Sequence, residues 1–285
     1  MKNDLTLQQK LKACQLSQQA LLATNFYNFE TLKGILLAAK AEQSPLILQL
    51  TRGSIEYLGL QVAKDMASAM LSSLNVEGWI HLDHGDSYEL AAICLDAGFD
   101  SVMIDASEKP FAENVEITKR VVKLAESYGA NVEAELGYVA KLGQQTGNIG
   151  FTEPDEAKRF VEETGVDALA VAIGSAHGFY KETPNLDFER LSAIHNATGI
   201  ALVLHGASGI PHDQLREAIK RGICKINLAT ETKNIFMKTL KNILLDAEEI
   251  DLRKTFPPAT NAVTQLVRDK LHAIQFDSVA EKLKQ

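Results

Sequence analysis

At 285 residues, with 46% hydrophobic and 23% charged side chains, the chain can bury a sizeable core and does not have the composition of a disordered segment. A net charge of −8 without any long basic run argues against nucleic acid as a partner, and it means that any bound anion needs local positive charge. Cys14, Cys94 and Cys224 are odd in number, scattered and outside metal-knuckle spacing, which leaves reduced thiols as the simplest account.

The polar N-terminus, Met1 to Gln9, does not read as a signal peptide, and no apolar stretch is long enough to span a membrane, so a cytoplasmic location without membrane contact is expected. From there, strand-like apolar runs alternate with amphipathic segments as far as residue 245. In chain order the predicted strands are Ala20–Asn25, Pro45–Thr51, Trp79–Asp83, Ser101–Asp105, Asn131–Leu136, Ala168–Ile173, Ala201–His205 and Cys224–Asn227. Helical periodicity marks intervening segments such as Phe29–Glu42, Ile55–Leu74, Phe111–Tyr128, Pro154–Thr164 and His212–Arg221. Alternation of this kind predicts parallel strands with crossover helices, and an α/β fold of the (β/α)8 TIM-barrel type is the natural closure. A doubly wound open sheet is the alternative, but no Gly-x-Gly-x-x-Gly follows the first strand. One domain is expected over residues 1–285, with a barrel over about 15–245 and a C-terminal helical extension over about 246–285. In that extension Val263, Leu266, Val267, Leu271 and Ile274 recur at helical spacing, which suits packing on the barrel or against a second subunit.

In such barrels chemistry gathers at the C-terminal ends of the strands. Asn25 and Thr51 end the first two predicted strands, Asp83 and His84 the third, and Asp105 the fourth. Glu133 and Glu135 share one face of the alternating fifth strand and are expected to point into the barrel, where a nearby cation would offset their burial. His177 and His205 follow the sixth and seventh strand runs, each just before a glycine. Three strand-end imidazoles, His84, His177 and His205, with an open fourth position fit a catalytic metal site. Nitrogen ligands favour zinc, while cobalt, iron or manganese are also compatible. His81 is at best an outer partner of that site, and His195, His212 and His272 are expected at the surface. Strict pleating would send Asp83 and His84 to opposite faces, so the strand is expected to end at Asp83, with Gly85 making the turn cheap.

His205-Gly206-Ala207-Ser208-Gly209-Ile210-Pro211 is a glycine-rich loop entering a helix, an arrangement whose backbone N–H groups suit an anion. With Asn227 and Thr230 at the end of the eighth strand and Gly178 on the sixth loop, the position matches the phosphate site common in barrels.

Leu82-Asp83-His84-Gly85, Met103-Ile104-Asp105-Ala106-Ser107, Val132-Glu133-Ala134-Glu135-Leu136-Gly137, Ala172-Ile173-Gly174-Ser175-Ala176-His177-Gly178, Leu204-His205-Gly206-Ala207-Ser208-Gly209 and Lys225-Ile226-Asn227-Leu228-Ala229-Thr230-Glu231 together resemble the motifs of class II ketose-bisphosphate aldolases. The likeness runs from about Asn25 to Arg253, and Ile223 to Glu231 is most similar to the tagatose-bisphosphate branch. The resemblance implies a zinc enzyme that cleaves a ketose 1,6-bisphosphate, fructose- or tagatose-1,6-bisphosphate, into dihydroxyacetone phosphate and glyceraldehyde 3-phosphate. By motif it places the metal on His84, His177 and His205, with Asp105 and Glu135 as an alternative shell. It gives the C4-hydroxyl proton to Asp83. It gives the dihydroxyacetone phosphate end to Gly178, Gly206, Ser208, Asn227 and Thr230, often with sodium or potassium bound. Asp251-Leu252-Arg253 resembles the family's Asp-Pro-Arg segment, whose arginine holds the 6-phosphate of a neighbouring subunit, so a homodimer or homotetramer is implied.

One segment departs from the pattern. Family members carry a mobile loop with paired glycines and a proton-exchanging glutamate, but here Gly137 to Gly150 contains no carboxylate. Either another group, with Tyr138 a candidate, handles that proton or the substrate differs. The rival expectations are an aldolase of the same class acting on another phosphorylated ketose or deoxy sugar acid, a Schiff-base aldolase using Lys225, and a non-catalytic sugar-phosphate-binding barrel.

Overall fold

The computed structural model describes residues 5–137, 139, 150–178, 180, 184–245 and 248–275. Eight parallel strands pair in sequence order and close on themselves: β1 (Leu21–Asn25), β2 (Leu46–Leu50), β3 (Gly78–Gly85), β4 (Ser101–Ile104), β5 (Asn131–Leu136), β6 (Ala168–Val171), β7 (Ala201–Leu204) and β8 (Ile223–Leu228). The register Leu22↔Ile226 joins the first strand to the last. Every strand but β3 is buried along its full length. Continuous apolar runs are what a sheet walled by helices requires. The helices are α1 (Leu7–Ser17), α2 (Phe29–Ala41), α3 (Arg52–Leu58), α4 (Leu60–Leu74), α5 (Tyr88–Asp96), α6 (Phe111–Glu126), α7 (Pro154–Thr164), α8 (Phe188–Thr198), α9 (His212–Lys220), α10 (Thr230–Leu244), α11 (Leu252–Thr255) and α12 (Pro257–Ile274). No helix among the described residues is long and apolar enough to cross a membrane.

The segment expected as one helix over Ile55–Leu74 is two, split at Gly59, whose φ of +85° lies outside the helical region. The N-terminal segment is not merely polar. Thr6 and Gln9 form a capping box, and Leu7, Leu11 and Cys14 form one apolar stripe. That stripe clusters with Leu21, Trp79, Ala168, Ala201 and Cys224 at the strand beginnings, so α1 plugs the N-terminal mouth. The tail helix α12 buries Val263, Val267, Leu271 and Ile274 and packs on α2, α9 and α10.

The expected end of the third strand needs correction. β3 runs on through His84 to Gly85, and its register against β4 shifts between Leu82 and Gly85. His84 itself takes the left-handed conformation, φ +49°. Gly85 is not the turn residue; a Cβ there would meet the Met103 carbonyl oxygen at 2.5 Å. One extra residue in β3 breaks the alternation and re-aims the following side chain. This bulge is how Asp83 and His84 both reach the barrel mouth.

Candidate active site

A cavity of about 580 Å³ opens at the C-terminal ends of the strands. At its floor Asp83 receives side-chain amides from three strands. Asn25 Nδ2 donates to Oδ2 at 2.9 Å, while Gln49 Nε2 and Asn227 Nδ2 each donate to Oδ1 at 3.3 Å. Burial opposes the charge of Asp83, but the nearby His84 and His205 imidazoles, the Lys225 ammonium and the Asn25 amide outweigh it and hold the carboxyl below its usual range. An ionised carboxylate locked in one orientation is what a general base requires.

The three expected histidines converge beside it. One nitrogen from each of His84, His177 and His205 lies within 4.8 Å of the others, and His84, Asp105 and Glu135 form a second such group. Ring centroids are 5.0 Å apart for His84 and His177 and 4.8 Å for His84 and His205. Hydrogen bonds identify the nitrogens that face inward. His84 Nδ1 is 2.7 Å from Asp105 Oδ2, and His205 Nε2 is 2.8 Å from Glu133 Oε1. With those nitrogens donating to carboxylates, His84 Nε2 and His205 Nδ1 meet at 3.1 Å, and some positive charge must lie between two such lone pairs. Burial lowers the basicity of His84, but the Asp83 charge and the Asp105 contact outweigh it and raise its pKa to about 9. Burial and the neighbouring His84 push His205 well below its ordinary value.

Glu135 completes the pattern. Burial, followed by the Asp105 charge, raises its pKa to about 8. Its Oε2 is buried without a hydrogen-bond partner among the described residues, 3.8 Å from His205 Nδ1. Inward lone pairs, an orphaned carboxylate oxygen and outer carboxylates on the ligand imidazoles form a donor set that fits a divalent cation of the zinc type.

Both glutamates of β5 point into the barrel, as their alternation predicts. Glu133 sits deeper, bridging His205 to the Lys225 ammonium, which lies 2.7 Å from its Oε2. Lys225 Nζ is also 3.3 Å from His81 Nε2, and His81 Nδ1 meets Ser101 Oγ at 2.8 Å. His81 is therefore an inner member of this buried network and does not touch the three-histidine cluster directly. Lys225 lies beneath the cavity, engaged by Glu133, which disfavours it as a Schiff-base nucleophile. Removing one partner of such a pair strands the other. Lys225→Met is expected to lower unfolding stability by about 3–5 kcal/mol, read from denaturant titration.

The loops after β6 and β7 are stapled together. Tyr180 Oη accepts the Ala176 N–H at 2.6 Å and donates to the Gly206 carbonyl at 2.8 Å. Gly206 passes so close to Ala176 that a Cβ would lie 2.4 Å from its carbonyl oxygen. Gly178, Gly206, Ser208, Asn227 and Thr230 all line the cavity, with Thr230 opening α10.

A family model described as fructose-bisphosphate aldolase class-II matches residues 5–278. The chain belongs to the class II fructose-bisphosphate aldolase family. It is 42% identical over 255 residues to a fructose-bisphosphate aldolase of Geobacillus stearothermophilus, covering 87% of this chain and 88% of the relative. The same figures hold for the fructose-bisphosphate aldolase of Staphylococcus aureus strain Mu50. The solved YdjI aldolase of Escherichia coli K12 superposes with a TM-score of 0.86 at 33% identity, covering 98% of this chain and 99% of that one. As a class II aldolase the chain is a lyase.

Against that family pattern the remaining expected residues divide. Thr51 lines the cavity and caps α3 by accepting the Ser54 N–H. Arg253 does not line the cavity; it is exposed and doubly paired with Asp251. Leu252, standing where the family has proline, is the first residue of α11, the helix position at which proline is favoured. Tyr138 and residues 140–149 lie outside the described residues. His212 and His272 are exposed as expected. His195 is not a surface residue; it is half-buried against Gly222 with its Nδ1 enclosed. Gln49, which donates to Asp83, and Tyr27, which lines the cavity, were not anticipated. Gln49 had one signal, a lone amide inside the apolar run of β2.

Proposed function

We propose that the chain is a zinc-dependent aldolase that reversibly cleaves fructose- or tagatose-1,6-bisphosphate into dihydroxyacetone phosphate and glyceraldehyde 3-phosphate. The observation that carries this reading is the juxtaposition of an amide-locked Asp83 with the inward nitrogens of His84 and His205. The names of the curated relatives favour the fructose substrate, and the resemblance of Ile223 to Glu231 to the tagatose branch keeps the C4 epimer in the proposal.

His84, His177 and His205 would hold the zinc, with Asp105 and Glu135 as the alternative shell. When bound, the metal supplies a Lewis acid for the charge that retro-aldol cleavage leaves on the enediolate. Asp83 takes the C4-hydroxyl proton. Asn25, Gln49 and Asn227 keep its oxygens aimed while that proton moves. Gly178, Gly206, Ser208, Asn227 and Thr230 receive the phosphate of the dihydroxyacetone half through hydroxyls, an amide and backbone N–H groups. A sodium or potassium ion beside that phosphate, and a cytoplasmic location, belong to the same proposal.

The test is dihydroxyacetone phosphate release from a panel holding both bisphosphates, ketose 1-phosphates and phosphorylated deoxy sugar acids. A bisphosphate should lead by at least about tenfold, the scale of one lost charge-assisted contact. Faster release from another member would favour the second reading, an aldolase for a different phosphorylated ketose or sugar acid. The absence of a carboxylate between Gly137 and Gly150 supports that alternative. No release from any of them would refute both.

Arg253 belongs to a homodimer or homotetramer in which it reaches the far phosphate of a neighbouring site. Arg253→Ala is expected to raise KM about 10–100-fold for a bisphosphate and little for a ketose 1-phosphate. Mixing it with Asp83→Ala subunits should restore part of the activity, because one composite site in each heterodimer carries neither lesion. No recovery despite confirmed subunit exchange would remove Arg253 from the partner's site.

A further inference from the structure

A partly buried ion pair ties the tail helix to the loop after β7. Lys270 on α12 is only 7% exposed, and its Nζ lies 3.0 Å from Oε1 of Glu231, in the first turn of α10. That same Oε1 accepts the backbone N–H of Gly209, and the Glu231 N–H donates to Ser208 Oγ at 3.4 Å. Tyr180 in turn holds the Gly206 carbonyl, and its ring edge lies against Gly209. The loop is thus held by a tyrosine and by a carboxylate.

The carboxylate has a consequence of its own. Glu231 touches the loop proposed to receive a phosphate, and an uncompensated negative charge there would repel the ligand. Lys270 cancels that charge while keeping Glu231 turned toward Gly209. A lysine is rarely buried this far unless it is paired. We infer that Lys270 is a positioning residue: acting through Glu231, it holds the Ser208–Gly209 segment in its phosphate-receiving form and neutralises the carboxylate beside it, which makes the tail helix part of the binding machinery. This inference deepens the proposed function and rests on its reading of the loop as the phosphate site.

The test compares zinc-loaded wild type with Lys270→Met, Lys270→Arg and Ser208→Ala, reading calorimetric binding of dihydroxyacetone phosphate together with steady-state kinetics. Lys270→Met should weaken binding about tenfold, the scale of the entropy of ordering one backbone residue. It should raise KM by a similar factor and leave kcat within about twofold, because the phosphate contact acts equally in ground and transition states. Lys270→Arg should recover most of the affinity, and Ser208→Ala should weaken binding as well. A merely structural role for Lys270 would change thermal stability without this split between KM and kcat, and that outcome would overturn the inference. Wild-type affinity in Lys270→Met alongside weakened Ser208→Ala would overturn the role of Lys270 and leave the phosphate site standing. Wild-type affinity in both would overturn the phosphate reading itself. Should Lys270→Met fail to fold by circular dichroism, Lys270→Gln gives the same readout: it keeps a polar group toward Glu231, removes the compensating charge, and should weaken binding at least about threefold. Unchanged affinity there would overturn the inference equally.

Discussion

His205→Ala is expected to abolish cleavage and to weaken zinc binding by more than about 100-fold. Outer partners of metal ligands typically cost 10–100-fold in affinity when removed, so loss of a ligand must exceed that. His205 is the most constrained of the three imidazoles. It is fully buried, its Nε2 faces Glu133 at 2.8 Å, and its Nδ1 faces His84. Alanine at this position removes the second inward nitrogen and leaves Glu133 with Lys225 and, at 3.7 Å, His81. The fold should survive, because the Lys225–Glu133 pair remains satisfied. Equilibrium dialysis against zinc checks the affinity and circular dichroism checks the fold. Wild-type zinc affinity in this variant would remove His205 from the metal site.

Asp83→Ala is expected to have the complementary phenotype. General acid–base groups contribute about 10²–10⁴-fold, so kcat/KM should fall within that range while zinc content stays nearly unchanged. Asp83 accepts hydrogen bonds from the amides of Asn25, Gln49 and Asn227, and among the described residues it belongs to neither group of candidate metal ligands. Its loss strands three amide donors, so some loss of thermal stability should accompany the loss of rate. Metal analysis of the purified variant separates the two roles, since co-purification without zinc would make Asp83 a ligand. The pair of variants therefore distinguishes a residue that holds the metal from one that moves a proton.

Much of this arrangement is legible in the sequence because barrel strands carry their chemistry at one end. Apolar runs closing in Asp83-His84, Asp105, His177 and His205 put the candidate site residues in view from the sequence alone, and the alternation of β5 sends Glu133 and Glu135 to one face. What stays hidden depends on pairing between strands. The left-handed backbone at His84 follows from the register shift against β4, which no local signal marks. Gln49 reads as one polar residue in Leu46–Leu50 until the barrel closes and brings its amide to Asp83. Likewise α1 looks like a polar terminus, since only Leu7, Leu11 and Cys14 betray its apolar stripe, and their partners lie on strands far along the chain. Lys225 stands out as a lysine within a strand, but whether it is a nucleophile or a counter-ion is decided by Glu133, 92 residues away.

The proposed role of the strand-end histidines is to hold the metal on which cleavage of a ketose bisphosphate depends. It is tested most directly by titrating exhaustively chelated protein with zinc while following dihydroxyacetone phosphate release from fructose and tagatose 1,6-bisphosphate. No turnover is expected without metal, then activity that rises with added zinc and saturates near one ion per chain, with at least one of the two sugars cleaved. Full turnover in the chelated protein, or trapping of Lys225 by borohydride in the presence of substrate, would contradict it.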